Sequence, residues 1–403
     1  MNFIQRLYCR TFQCCFRIAI PWLPYRKPQT ITQLEQLPEV LRREGCRRVL
    51  LVTDQGIVRL GLHQSVLEAL NRHQIEVFCY DQTQVNPSVD NVEQALQLYR
   101  KHDCQALIGV GGGSSLDCAK GVGARIAQPR KTLSQMRGVL KVRRKLPPLI
   151  AVPTTAGTGS ECTLAAVITD PKAHTKYAIN DFPLIPRYAL LDARMTMTMP
   201  PFLTATTGLD ALTHAVEAYI GRSTTRDTRQ AALSAIQLIF ANLPQSVANG
   251  NDSTARKNMA HAAYLAGLAF TKSYVGYVHA LAHALGGMYG VAHGFANAVL
   301  LPVVLRGYGS AVEKKLKDCA IAANIADTTT SPHEAAQRFI EAIEAMNRLF
   351  HIDTQIPQIR SEDLPYLCAH AAREANPLYP VPVLYSAAEL EPFYRAVMTK
   401  EEK

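Results

Sequence analysis

The sequence predicts an α/β N-terminal domain with a mainly parallel sheet, followed by an all-α C-terminal domain. Three observations lead there. Between residues 32 and 192, apolar runs of strand length alternate with amphipathic stretches of helix length. Met199-Pro200-Pro201 breaks that alternation. Beyond it strand signals stop and helical periodicity takes over. With 403 residues, 48% of them hydrophobic and 19% charged, the chain is long enough for two domains and apolar enough for a large core. The boundaries fall at 1–28 for an extension, 29–199 for the α/β domain and 200–403 for the helical one.

Residues 1–28 have a character of their own. Arg6, Arg10, Arg17, Arg26 and Lys27 are basic, and no acidic residue occurs before Glu35. Arg6, Arg10, Gln13 and Arg17 fall on one helical face, and apolar side chains such as Phe3, Leu7 and Phe12 cover the rest. No uninterrupted apolar run is long enough to span a bilayer, no small-residue cleavage site follows, and the lack of serine argues against a transit peptide. A basic helix ending in Trp22 and Tyr25 suits an anionic membrane surface. Packing on its own domain or on a partner subunit is the other reading.

From Thr32 the α/β pattern begins. Leu34–Glu44 reads as helix and Arg48–Thr53 as a buried strand ending at Asp54. A helix from Ser65, a strand at Ile75–Tyr80 and a helix from Val89, opened by Asn86-Pro87-Ser88, follow. Ala106–Val110 runs as a strand into Gly111-Gly112-Gly113-Ser114-Ser115, where backbone N–H groups without a Cβ in the way can approach a phosphate and a helix opening at Ser115 adds its dipole. The glycine order is not G-x-G-x-x-G. Leu149–Val152 leads into Pro153-Thr154-Thr155-Ala156-Gly157-Thr158-Gly159, dense enough in hydroxyls and glycines to wrap a polar ligand; an ordinary hydroxyl turn is the plainer reading. Asp54 is placed to accept from ribose hydroxyls, or simply to cap a helix. Lys176 precedes a further strand, and Ala189–Asp192 is the last.

The net charge of +10 is dispersed and no nucleic-acid motif accompanies it, so no nucleic-acid partner is expected. Ten cysteines lack any CxxC pair, and several, such as Cys79 and Cys162, sit in apolar runs. They read as small buried hydrophobes in a reducing, cytoplasmic setting.

The helical domain carries the chemistry. Asp210 and His214 are four apart, as are His279 and His283, and each pair therefore shares a helix face. His293 stands before Gly294 at the start of a third helix. Three helices can aim one carboxylate and several imidazoles at a point, a donor set for Fe²⁺ or Zn²⁺. Spacing leaves open which of His279 and His283 ligates.

The segments GGGSSLDCAKG, PTTAGTGSE, GLDALTHAVEAYI and YVHALAHALGGMYGVAHGFANAVLLP, in that order, give the chain from Thr32 onward a resemblance to the iron-containing (group III) alcohol dehydrogenases. The resemblance implies that Asp210, His214, His279 and His293 bind the metal, and that His283 lies beside the substrate as the catalytic histidine. It makes Gly111, Gly112, Gly113, Ser114 and Ser115 the pyrophosphate loop of a dinucleotide-binding domain, with Thr154, Thr155, Thr158 and Lys176 along the cofactor. Asn86 completes the cofactor-binding set. An acidic residue at Asp54 points to NAD. The expected reaction passes a hydride between a small alcohol, or its aldehyde or ketone, and NAD, with the metal polarising the oxygen and His283 relaying a proton. A homodimer is implied. A hydroxyacid-oxoacid transhydrogenase and a glycerol-dehydrogenase-like polyol oxidoreductase are the rival enzymes, and a non-enzymatic metal- or membrane-binding protein is the rival from another class.

Overall fold

The chain opens with helix α1 (Phe3–Ala19), started by a reciprocal cap in which Asn2 accepts from the Gln5 N–H and Gln5 from the Asn2 N–H. In the computed structural model, which describes residues 1–171 and 175–399, α1 belongs to the helical unit. That unit comprises residues 1–23, 200–250 and 261 onward; residues 24–199 and 251–260 form the α/β unit. The extension is thus divided, 1–23 with the helices and 24–28 with the sheet.

In the α/β unit the strands are β1 (Gln29–Ile31), β2 (Arg48–Val52), β3 (Glu76–Tyr80), β4 (Ala106–Gly111), β5 (Gly138–Val139), β6 (Leu149–Pro153), β7 (Ala165–Asp170), β8 (Thr175–Asn180) and β9 (Tyr188–Leu190). Six of them form a parallel sheet in the order β1-β9-β6-β4-β2-β3. Its helices are α2 (Leu37–Arg43), α3 (Gln55–Arg59), α4 (Leu62–Asn71), α5 (Val89–Lys101) and α6 (Gly113–Ala127). Alternation sorts the side chains: Leu50 and Val52 join a core with Val92, Leu96 and Val122 from α5 and α6, while Val49 and Leu51 join Leu37, Leu41, Val66 and Leu70 from α2 and α4. Both faces of the sheet are covered, which is why its strands read as continuous apolar runs.

Three features depart from the sequence reading. β7 and β8 pair antiparallel and, with β5, make a separate three-stranded sheet. Lys176 therefore lies within a strand, opposite Thr169, rather than before one. Helix α6 opens at Gly113, two residues before Ser115. Cys79 is exposed because β3 is an edge strand, whereas Cys162 is buried; all ten cysteines are free thiols.

The helical unit is built from α1, α7 (Pro201–Ile220), α8 (Arg226–Ala248), most of α9 (Ser253–Ser273), α10 (Tyr277–Tyr289), α11 (His293–Tyr308), α12 (Glu313–Ala322), α13 (Pro332–Leu349), α14 (Leu364–Ala375) and α15 (Ala387–Val397). α7 is buried from Thr204 to Ile220 except for Thr207, as a helix apolar on all sides must be. α8 is long and apolar enough by composition to cross a membrane, yet Ala232, Ile236, Ile239 and Leu243 are buried within the unit. α1 lies with its basic face inward. Arg6 pairs with Glu389 at 3.0 Å, and Arg10 donates to the Val381 and Pro382 carbonyls at 2.7 and 2.8 Å. Gln13, buried, donates to the Pro377 and Tyr379 carbonyls at 3.2 and 2.7 Å. Arg6, Arg10 and Gln13 thus seat the helix on its own unit.

Candidate functional site

On α7, Asp210, His214 and Glu217 recur at four and three residues and so share one face. All three are buried. Glu217 organises the start of α10: its carboxylate accepts from the Gly276 N–H at 2.8 Å and the Val278 N–H at 2.7 Å, and lies 2.6 Å from His279 Nδ1. Gly276 is required there, since a Cβ would stand 2.6 Å from Glu217 Oε1. With Nδ1–H donating to a carboxylate, the lone pair of His279 is on Nε2, which faces Asp210 Oδ1 at 3.7 Å. Burial, and then the neighbouring imidazoles of His214, His293 and His283, hold the His279 pKa well below 6.5, which keeps that lone pair available. Burial pushes the Glu217 carboxyl up to about 7, against the pull of its backbone hydrogen bonds.

His293, the first residue of α11, brings Nε2 to 3.4 Å from Asp210 Oδ1, and His214 Nδ1 lies 4.0 Å from Oδ2. One ligand atom from each of Asp210, His214, His279 and His293 falls within 4.8 Å of all the others. Among the described residues, the donor turned into this group is Asn297, whose amide N–H reaches Asp210 Oδ1 at 2.7 Å, His293 Nε2 at 3.1 Å and His279 Nε2 at 3.3 Å. That orientation leaves its own buried Oδ1 without a partner, a loss of about 1–3 kcal/mol. Acceptors turned towards one another, three of them reached by Asn297, are the polarity a cation corrects, and one carboxylate with three neutral imidazoles fits a divalent transition metal. Asp210, His214 and His279 are closed off, while the His293 side chain is 39% exposed and marks the open side.

His283 is not part of that group. Its ring stacks on His293 with centroids 5.1 Å apart, and its Nδ1 lies 2.6 Å from Glu374 Oε1 on α14. The Tyr379 hydroxyl donates to the same oxygen at 2.7 Å. Burial alone would raise the Glu374 carboxyl; the charge and hydrogen bond of His283, with the Tyr379 hydroxyl, outweigh it and hold the carboxyl below its usual range. Tyr379 belongs to the strap gripped by Gln13, so α1 buttresses this dyad.

In the α/β unit Asp54, residues 111–115 and Thr154, Thr155 and Thr158 of the predicted cofactor set follow the carboxyl ends of β2, β4 and β6, while Asn86, after β3, and Lys176, on β8, connect to them through Ser114. Gly111 has φ +149°, and a Cβ on it would stand 2.6 Å from Ser115 Oγ. Gly112 caps α6, whose first turn presents its N–H groups. Asp54 accepts from the Ile57 N–H at 3.0 Å, capping α3, and from the Ser115 hydroxyl at 2.9 Å. The Asn86 N–H donates to Ser114 Oγ at 3.2 Å, and Asn86 Oδ1 accepts from Lys176 Nζ at 2.7 Å. Thr154 donates its N–H to the Gly111 carbonyl at 3.0 Å, and Thr155 and Thr158 border Gly112 and Gly113.

Beneath the loop lies a cluster absent from the sequence reading. Lys120, fully buried, donates to Ser160 Oγ and Thr163 Oγ1 at 2.9 Å and to the Ala165 carbonyl at 2.8 Å, with Asp117 at 3.9 Å. Burial pushes Lys120 down and Asp117 up, and raises the adjacent Glu161 to about 7. Glu217 and Asn297 were also missed, although each lies three or four residues from a ligand on the same helix. Nothing in the sequence around Glu374 points to His283.

Family models for "iron-containing alcohol dehydrogenase" and "Fe-containing alcohol dehydrogenase family, C-terminal" match residues 29–193 and 204–398. The 1,3-propanediol dehydrogenase of Klebsiella pneumoniae is 38% identical over 90% of this chain and 93% of its own length. The NAD-dependent methanol dehydrogenase of Bacillus methanolicus is 35% identical over 82% of this chain and 87% of its own. A crystal structure of a 1,3-propanediol oxidoreductase superposes with a TM-score of 0.88 at 36% identity, covering 92% of this chain and 98% of that one.

Proposed function

Because this chain belongs to the iron-containing alcohol dehydrogenase family, an alcohol oxidoreductase family, we propose that it passes a hydride between a small alcohol, or its aldehyde or ketone, and NAD. The observation that carries the reading is the convergence of Asp210, His214, His279 and His293 within 4.8 Å. The names of its relatives, which act on 1,3-propanediol and methanol, direct the substrate search to short alcohols and diols. NAD is favoured by Asp54, whose carboxylate would meet a 2′-phosphate as a like charge. Fe²⁺ is proposed as the resident metal, with Zn²⁺ as the alternative the same donors accept. A homodimer in the cytoplasm completes the proposal; ten free thiols suit that reducing compartment.

When bound, the metal supplies positive charge that favours an alkoxide over an alcohol and polarises a carbonyl. The chain does the rest. Asp210 offsets one charge and leaves a net positive centre. Glu217 keeps His279 Nε2 turned inward, and Asn297 steadies Asp210. Glu374 holds His283 by Nδ1, leaving Nε2 to take the substrate proton and pass it to water on the exposed side. The Thr154–Thr158 loop and the first turn of α6 cradle the cofactor phosphates.

The test is a screen of short alcohols, diols and their aldehydes by NADH absorbance, on protein loaded with Fe²⁺ or Zn²⁺. Turnover with added NAD on at least one substrate is expected. Turnover only of paired hydroxy and oxo acids without added NAD would instead make it a transhydrogenase.

A further inference from the structure

Helix α1 is seated the wrong way round for a surface helix of a water-soluble domain. Such a helix turns its apolar stripe inward and its charges to solvent. Here Arg6, Arg10 and Gln13 face the helical unit, while Phe3, Ile4 and Trp22 are at least 75% exposed and Leu7, Tyr8 and Ile18 more than half exposed. The wheel positions between Phe3 and Phe12, taken through Leu7, Ile18, Ile4 and Tyr8, carry no charge. An apolar stripe of that extent marks an interaction surface.

The surroundings indicate what covers it. Arg17, which shares the polar side of the wheel with Arg6 and Arg10, is itself exposed, and no acidic residue occurs before Glu35. Among the described residues, Glu389 pairs with α1 and is taken up by Arg6 and the Met1 amino group. The charge that residues 1–34 add beside the apolar face is therefore positive. A second copy brought face to face would set arginine against arginine, whereas an anionic bilayer offers both acyl chains and negative headgroups.

We propose that the outward face of α1 is a membrane-docking surface, lying on an anionic lipid bilayer with its apolar side chains immersed and the positive charge of residues 1–34 drawn to the headgroups. The contact is peripheral, since α1 is an in-plane helix held by its polar face to the helical unit.

Trp22, the single tryptophan, reports the contact directly. Full-length protein mixed with vesicles of phosphatidylcholine and phosphatidylglycerol should show a blue shift of Trp22 emission and sediment with the vesicles, with weaker binding to phosphatidylcholine alone and partial release by salt. Leu7→Glu combined with Ile18→Glu should lower the partition coefficient at least about tenfold. Both positions point to solvent, so metal content and turnover should be unchanged and will show that the variant is folded. Arg17→Glu should weaken binding to the anionic vesicles only. Unshifted Trp22 emission with no sedimentation overturns the proposal, as does equal vesicle binding by the double variant. A change of oligomeric state in the double variant, without vesicle binding by the parent, would make the face an interface between copies and end the membrane reading.

Discussion

Two buried polar clusters, one in each unit, differ in how their members are matched. Beneath the glycine loop, Lys120 meets three oxygens, and Asp117 accepts from Ser160 Oγ and the Val167 N–H. Donors find acceptors, and that cluster is complete without any ligand. In the helical unit, Asp210 and three imidazoles turn acceptors towards one another, and the Asn297 amide donates to Asp210, His279 and His293. The first arrangement holds a loop; the second is matched to a cation from outside the chain. Burial and hydrogen-bond distance look alike in both, and the sign of the facing groups separates them.

This contrast can be broken by experiment. The largest effect should come from Asp210→Asn, which keeps the shape and removes the charge. Metal content, read by elemental analysis, should fall with turnover, by at least roughly a thousandfold, or ~4 kcal/mol of transition-state stabilisation. The melting temperature of metal-free protein should not fall. Lys120→Met should do the reverse. It strands Asp117 in the interior and should reduce unfolding free energy in denaturant titrations by about 3 kcal/mol, with metal content intact. Exchanged outcomes, with Asp210→Asn unfolding and Lys120→Met harmless, would show that the clusters have been assigned the wrong way round.

A smaller change sharpens the loop side of the comparison. Asp54→Asn keeps the α3 cap, because asparagine caps as well as aspartate, but removes the charge. NAD preference over NADP in kcat/KM should narrow by about tenfold, or ~1.4 kcal/mol. An unmoved preference would detach Asp54 from cofactor choice. The smallest effect concerns pH. The Glu374 carboxyl is held below its ordinary 4.5, so its contribution to stability is present above that pH and is lost as pH falls through the folded value. Glu374→Gln should therefore melt below the parent by an amount worth about 1 kcal/mol at neutral pH, with the gap closing on acidification below 4.5. A gap that grows in acid would reverse the sign of the argument.

The two sites were also unequally legible. Asp210 with His214, and His279 with His283, could be picked out because helical spacing is local: four residues in sequence is one turn in space. The full set of Asp210, His214, His279 and His293 came from the family resemblance. The spacing could not choose between His279 and His283, since both share a face and the deciding partners, Glu217 and Glu374, come from other helices. The cofactor loop was recognisable by its glycines and by family resemblance, but Lys176 reaches Asn86 across 90 residues, through a small sheet that short, part-polar strands did not announce. Composition marked α1 as unusual, while its orientation depended on carbonyls near residue 380 that no local pattern reveals.

That last connection has a bearing on how the protein is made. Gln13 and the Tyr379 carbonyl it holds are 366 residues apart in the chain. At a synthesis rate of about 5–20 residues per second, α1 leaves the ribosome roughly 20 to 70 seconds before its seat exists. During that interval its arginines have no carbonyls to bind and its apolar side chains have nothing to cover them. Helix α1 is thus among the last elements to find its place, and until residue 379 is made it is free to meet a chaperone or a lipid surface before it meets its own fold.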